Sequence, residues 1–584
     1  MTRDPVRIAN CSGFYGDRLA AAREMVDGGP IDVLTGDWLA ELTMLILAKD
    51  RLKNAGGGYA KTFVRQMEQV MGTCLDRGIK VVANAGGLNP RGLVTALLEV
   101  ADRLGLAPSI ASVTGDDLLP RLAELRAGGE ELLNLDTGAE LGDRPVLTAN
   151  AYLGGWGIAE ALCRGADIVV TGRVTDAAVV IGPAAWHHGW GRTDWDPLAG
   201  ALVAGHVIEC GCQATGGNYA FFQEVPGLEH PGFPIAEVAA DGSSVITKHD
   251  GHGGLVSVGT VTAQLLYEIG GPRYLNPDVT ARFDSIRLDQ VGPDRVAVSG
   301  VRGEAPPATS KVCLNLLGGV KASYSFPLVG LDIEAKADLL LRGLFGAVPG
   351  GRESFEQVDV DLVRSDHEDP ERNEVAVAQL RVTLKDPDEA KLGRALSAAI
   401  TELALASYPG FHGGPSSTAS RYGVYWPAAV PSALLSHEVT VGEAVSHVAP
   451  TLPTGDEPAV SVEPVAVLPS AGGETRRVPL GLLVGARSGD KGGNANLGVW
   501  TRTDEEFAWL HGFLTVARLK ELMPETAALE VERFALPRLR ALNFVLHGLL
   551  GEGVAASSRM DPQAKSLGEY LRAKHVEVPV ALLG

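Results

Sequence analysis

Over the first 180 residues, short apolar runs alternate with segments of helical period. "VRIANCSGFYG" reads as strand then loop, "IDVLTGDWL" as strand, turn and helix start, and "ELTMLILAKDRLK" continues that helix. "FVRQMEQVMGTCLDRGIKVVANAGGLNPRGLVTALLEVADRLG" reads as helix, strand, Gly-rich loop and helix. "PSIASVTGDDLLPRLAELRAGG" and "NAYLGGWGIAEALCRGADIVVTGRVTDAAVVIGPAAW" repeat the unit. Strands that are apolar throughout, separated by amphipathic helices, predict a parallel sheet covered on both faces. The expected fold class is α/β, an open, doubly wound, mainly parallel sheet.

From about residue 200 the pattern changes. "SSVITKHDGHGGLVSVGTVTAQLLYEIG" reads as a hairpin-like turn followed by a helix. Alternating runs such as "DSIRLDQVGPDRVAVSGVRG" and "EVAVAQLRVTLKD" read as antiparallel strands, accompanied by helices near 331–345 and 388–406. Residues 200–450 are thus an α+β part of a main domain spanning 1–450. Residues 451–477 are rich in Pro, Gly and charge, the composition of a linker. Residues 478–584 form a small C-terminal domain of mixed strands and two or three helices.

Composition narrows the function. The formal net charge of −20 argues against nucleic-acid or anionic-membrane binding, which need basic surface. It leaves room for a local basic pocket. Six cysteines in 584 residues do not make a disulfide scaffold. The N-terminal stretch lacks an apolar signal core, and no apolar run is long enough to span a membrane. A cytoplasmic protein is expected.

The N-terminal loops share one design. "NCSGFYGDR", "LTGDWLAELT", "NAGGLNPRG", "VTGDD" and "TGRVTDAA" each follow an apolar run and pair small residues with a carboxylate, amide or Arg. In an open α/β sheet, loops after the strand C-termini converge on one crevice, where helix N-termini present free N–H groups. Asp17, Arg18, Asp37, Asn84, Asn89, Arg91, Asp116, Arg173 and Asp176 are therefore candidates for one polar site. Each could instead cap its own helix. Neither G-x-x-x-x-G-K-[ST] nor G-x-G-x-x-G occurs in these loops, so ATP and NAD are poorly supported and no cofactor is identified. Arg173 is expected at the mouth, suited to a carboxylate or phosphate.

"AGHVIECGCQATGGNY" gathers His206, Glu209, Cys210, Cys212, Gln213 and Asn218, and "KHDGHGG" adds His249, Asp250 and His252. The Cys and His spacings do not match a structural zinc site or H-E-x-x-H. A polar pocket with Glu209 or His252 as general acid or base is the favoured reading, with Cys210 a weaker nucleophile candidate. Near the C-terminus, "GARSGDKGGNANLGVW" packs glycines around Asp490 and Lys491. Such a turn can form an anion-binding nest, and it is expected to face the main domain.

Taken together, "NCSGFYGDR", "TGDWLAELTM", "NAGGLNPRG", "TGRVTDAA", "GHVIECGCQATGGNY" and "ARSGDKGGNANLGV" resemble the acyclic terpene utilisation protein A family. The resemblance covers nearly the whole chain and implies that residues 478–584 are a ferredoxin-like domain. It implies a catabolic role in a pathway that runs through acyl-CoA thioesters, and it carries over no catalytic residues. The expected function is an enzyme acting on a small carboxylate or acyl-CoA thioester, by hydration, lyase cleavage or thioester hydrolysis. Asp37, Asp176, Glu209 and His252 are the acid–base candidates. Asp17, Asn84, Arg91, Asp116, Arg173 and Lys491 are the substrate- or anion-binding candidates. No metal is assigned, and a homo-oligomer with a small-molecule substrate is expected. A non-catalytic accessory protein of an acyl-CoA carboxylase or related enzyme, or a metal-dependent hydrolase, stand as alternatives.

Overall fold

The computed structural model describes residues 3–453 and 473–583, so most of the expected linker lies outside the described residues. The chain forms two compact units. One comprises Met1–Asn315, Tyr425–Val554 and Gln563–Gly584; the other comprises Leu316–Val424 and Ala555–Pro562.

The first unit is organised by strands β1 (Val6–Asn10), β2 (Val33–Gly36), β3 (Lys80–Ala83), β4 (Ile110–Thr114), β5 (Val146–Ala151), β6 (Ile168–Thr171), β7 (Pro234–Val238) and β8 (Ser244–Lys248). Interleaved with them are helices α1 (Ala21–Gly28), α2 (Glu41–Lys53), α3 (Lys61–Arg77), α4 (Pro90–Leu104), α5 (Leu122–Ala127), α6 (Trp156–Cys163), α7 (Ala178–His188) and α8 (Trp195–Ile208). Among the described residues the central sheet has eleven strands, and its heart is the parallel run β1-β2-β3-β6-β4.

That sheet corrects the expectation of a doubly wound, mainly parallel sheet: it is mixed. β7 pairs antiparallel to β1, and β8 antiparallel to β7. The strands Arg295–Ser299 and Arg287–Gly292 extend that edge in antiparallel sense, and His437–Val441 does the same beside β4. The physical reason is connection length. The five residues between β7 and β8 make a hairpin, whereas a parallel neighbour needs a crossover of a dozen residues or more.

Side chains alternate across the sheet. Ala9, Leu34, Val81 and Val170 join Met25, Phe63, Met67 and Leu97 of α1, α3 and α4 in one core. α7 packs on β1, β2 and β3 and against α6 and α8. Its residues Ala178–Ala185 are buried without interruption, as a helix covered on all sides requires. α4 shows how a loop is converted into a helix start. Pro90 occupies its first turn and the Asn89 side chain accepts from Gly92 N at 2.9 Å.

The C-terminal segment builds a second layer of the same unit. Gly485–Lys491, Asn494–Trp500, Ala541–Leu546 and Val531–Leu536 form an antiparallel sheet in that order. Its core joins Leu497, Val499 and Phe544 to Trp509 and Leu510 of Asp504–Phe513, Leu519 of Val516–Leu522 and Leu571 of Leu567–Arg572. The Gly-rich stretch is thus a β-hairpin and not an open nest. Its two strands pair in register from Gly485↔Trp500 to Lys491↔Asn494, and at the turn Gly493 N donates to Asp136.

In the other unit, Val320–Val329 pairs antiparallel with Val377–Asp386, which pairs with Gln357–Val363. Leu340 and Leu344 of Ile333–Ala347 and Leu396 of Arg394–Glu402 share its core with Val320, Phe326 and Leu380. No helix among the described residues is long and apolar enough to cross a membrane.

Candidate active site

The C-terminal ends of the parallel strands open into a cavity of about 1050 Å³. The loop after β2 begins with Asp37, which is 7% exposed. Its backbone N donates to Ser12 O at 2.8 Å, and its Oδ1 accepts from Leu39 N at 3.0 Å and from Asn84 Nδ2. Asn84, from the loop after β3, also accepts from Trp38 N at 2.8 Å, so it holds the β2 loop in place. The loop after β6 carries Arg173 and leads to Asp176 just before α7.

Arg173 is 2% exposed and lies in the cavity wall, which corrects its expected place at the mouth. Its Nη1 donates to Asp176 Oδ1 at 2.8 Å and to Leu39 O at 3.2 Å. Its guanidinium carbon lies 4.2 Å from the Tyr152 ring centre. From behind, Asp116 Oδ2 accepts from Arg173 N and from Asn150 Nδ2, each at 2.8 Å. Burial pushes the Asp116 carboxyl up to about 6, against the pull of those two donors.

Glu209 enters just past α8 and is 6% exposed. His206 Nδ1 lies 3.1 Å from Glu209 Oε1. Burial first, then repulsion from Asp176 and Glu268, holds the Glu209 carboxyl well above the usual carboxylate range. Burial and the charge of Asp176 do the same to Asp37, against the pull of Arg173. His206 is pushed down to about 4 by burial, so its imidazole is neutral at neutral pH. The Cys210 thiol is driven well above its ordinary value by burial and by Glu209. That removes its thiolate character and with it the nucleophile role considered for it.

The C-terminal hairpin closes the cavity with Asp490 and Lys491. Lys491 Nζ donates to Glu268 O at 3.0 Å. Asp136 accepts from Gly493 N at 3.1 Å and from Asn494 Nδ2 at 2.9 Å. Below the hairpin, Asn496 Nδ2 donates to Leu266 O at 2.7 Å while its Oδ1 accepts from Glu268 N at 2.8 Å. The hairpin therefore faces the rest of its unit. Gly489 and Gly498 make the approach possible: a Cβ on Gly489 would drive into the Tyr267 ring, and one on Gly498 would lie 2.5 Å from Leu266 Cβ.

Of the residues expected from sequence, Asp17, Asp37, Arg173, Asp176, Glu209 and Lys491 line this cavity. Asp17 also accepts from Gly13 N at 2.8 Å. Asn84 and Asp116 do not line it and stand behind it as supports for Asp37 and Arg173. Arg18, Asn89, Arg91 and His252 lie elsewhere: Arg18 pairs with Glu24 at 2.7 Å, and Asn89 caps α4. Arg91 points outward from the first turn of α4 and pairs with Glu438 at 2.5 Å. His252 lies in the loop after β8, whose course is fixed by His249, which donates from Nε2 to Met25 O of α1 at 2.8 Å. Its backbone oxygen accepts from Lys248 Nζ at 2.8 Å, and its ring does not line the cavity.

Other lining groups were not read from sequence. Glu41 opens α2, accepts from Tyr152 OH at 3.1 Å and pairs with Lys311 at 3.5 Å. Burial pushes its carboxyl up, but Lys311 and Arg173 outweigh that and hold it at about 2. Glu268 sits at φ +57° ahead of Gly270 and Gly271, and the glycine pair was the one local signal for it. Lys565, which donates to Tyr267 OH, and Tyr425 complete the wall. Among the described residues, no group of three or more His, Cys, Asp or Glu is arranged to hold a metal ion.

Residues 6–441 match the family described as acyclic terpene utilisation family protein AtuA. Residues 478–577 match the AtuA ferredoxin-like domain. No curated protein and no solved structure matches the chain.

Proposed function

The chain belongs to the acyclic terpene utilisation AtuA family, and from that premise we propose that it is a catabolic enzyme performing acid–base chemistry on a small carboxylate or acyl-CoA thioester. The observation that carries this reading is a set of cavity-lining residues with buried polar atoms that lack a hydrogen-bond partner among the described residues: Arg173 Nε, Thr175 Oγ1, Glu209 Oε2 and Asp490 Oδ1. Buried polar atoms ordinarily find hydrogen-bond partners. A donor and acceptors left over around one cavity are what a ligand with an anionic group and a transferable proton would satisfy.

In this reading Arg173 binds the substrate anion, its guanidinium held flat by Tyr152 and the Leu39 carbonyl. Glu209, its carboxyl held well above the usual carboxylate range by burial and by Asp176, serves as general acid. Asp176, held by Arg173, is the complementary base, with Asp37 beside it. A cavity of about 1050 Å³ is at the upper end of small-molecule sites and accommodates an acyl chain as well as its carboxylate or thioester. A panel of free acids and acyl-CoAs, screened for thermal stabilisation, tests the reading. At least one member should raise the melting temperature of the wild type and raise that of Glu209→Gln less. Equal stabilisation of both proteins would contradict it.

A further inference from the structure

Lys491 stands apart from the other charged groups of the cavity. Among the described residues its Nζ makes one hydrogen bond, to the backbone carbonyl of Glu268 at 3.0 Å, and no ion pair with a carboxylate. Of the other lysines of the cavity, Lys311 has Glu41 at 3.5 Å and Lys565 donates to Tyr267 OH. The Lys491 stem passes over Gly270, where a Cβ would meet its Cε at 3.8 Å, and Nζ lies 5.9 Å from the Tyr274 ring centre. A glycine floor and an aromatic wall leave the amine room to move toward a ligand. Its one hydrogen bond goes to a backbone carbonyl, and no carboxylate among the described residues pairs with it directly, so its charge is poorly compensated away from water. Burial and then Lys311 push the amine below its ordinary range, while Glu268, Glu41 and Asp176 pull it back. An amine that loses its proton through desolvation and a neighbouring cation is a nucleophile toward carbonyl carbon.

We infer that Lys491 attacks a carbonyl carbon of the substrate and forms an imine with it. The inference rests on the cavity being the substrate site proposed above. It narrows the substrate to an aldehyde or ketone that also carries a carboxylate or thioester. The step balances with the groups at hand. The Nζ lone pair forms the C–N bond, the C=O π pair moves to oxygen, and that oxygen takes the proton of Glu209, which lines the same cavity. The attacking nitrogen releases a proton to a carboxylate of the cavity. The acid so formed passes that proton to the hydroxyl oxygen, the C–O bond breaks to release water, and the nitrogen lone pair forms the C=N of a protonated imine. The imine nitrogen, once protonated, draws electrons from the adjacent C–C or C–H bond, which suits the bond cleavages expected of a lyase or hydratase.

The test uses the full-length protein with glyoxylate, an aldehyde bearing a carboxylate, and formaldehyde, which bears none. Each is combined with cyanoborohydride at neutral pH, and the modified lysines are mapped by peptide mass spectrometry. Lys491 should be alkylated at least about tenfold faster than the exposed Lys53, as an amine less often protonated and held in a substrate cavity requires. Glyoxylate should favour Lys491 more strongly than formaldehyde does, and Arg173→Lys should reduce that preference. Lys491 alkylated no faster than Lys53 by either aldehyde would overturn the imine. Fast alkylation of Lys491 with no preference for glyoxylate would sustain the imine and overturn the Arg173 anion site.

Discussion

Arg173 and Tyr152 are stacked, with the guanidinium carbon 4.2 Å from the ring centre, and the pair joins the loop after β6 to the end of β5. The same Tyr152 donates to Glu41 at 3.1 Å, and Glu41 pairs with Lys311. One aromatic ring thus sets the position of a buried cation and a half-buried anion. An Arg at this depth is part of the fold as well as the site. Arg173→Leu should destabilise the chain by about 3 kcal/mol, because it leaves Asp176 without its partner. A smaller loss, of the order of 1 kcal/mol seen for surface pairs, would show that Arg173 is not the structural hub described. Urea denaturation of the two proteins measures the difference.

Asp490 gives the stability a dependence on pH. Burial, then the charges of Glu268 and Glu41, push its carboxyl up to about 8, with Lys565 pulling the other way. Unfolded, it titrates near about 4. Between those values the folded chain keeps a proton that the unfolded chain releases. The contribution to unfolding free energy therefore falls as pH rises through this window, by at most about 1.4 kcal/mol per pH unit. Asp490→Asn should flatten the slope between pH 5 and pH 8 and be more stable than the wild type at the upper end. Parallel curves for the two proteins would remove Asp490 from this role. Thermal unfolding across the pH series reads it out.

The docking of the C-terminal hairpin depends on Asn496. Its amide satisfies both the Leu266 carbonyl and the Glu268 N–H. Asn496→Leu leaves the two backbone groups buried and unpaired, at about 1–3 kcal/mol each. The expected result is earlier thermal unfolding and faster proteolysis of the variant. A variant as resistant as the wild type would mean that the hairpin is held by other contacts.

Much of this was legible in the chain. The uniform apolar runs "VRIAN", "VLTG", "KVVA" and "IVVT" became β1, β2, β3 and β6, and their following loops brought Asp37 and Arg173 to one edge because parallel strands share a direction. The antiparallel flanks were not legible from apolar content, since a buried antiparallel strand such as "PIAEV" reads like a parallel one. Arg91 misled because its loop has the same grammar as the others, yet the first turn of α4 aims it outward to Glu438. His252 misled because residue type indicates chemistry and not place. Glu41, Lys311 and Glu268 gave little signal, because their role arises only when α2, the strand Thr309–Val329 and the segment after Leu265 meet. The hairpin's glycines, read as a possible anion nest in a turn facing the main domain, are positions where backbone and the Tyr267 ring come too close for a Cβ.

The central claim is that Arg173, Glu209 and Lys491 act on one ligand in one cavity walled by both family-matched segments. It is tested most directly by calorimetric titration of the best-stabilising acid or acyl-CoA into the wild type, Arg173→Lys, Glu209→Gln and Lys491→Met. The account predicts that each variant weakens binding by about tenfold or more, roughly 1.4 kcal/mol, while circular dichroism shows each of them folded. Affinities unchanged across all three folded variants would contradict it.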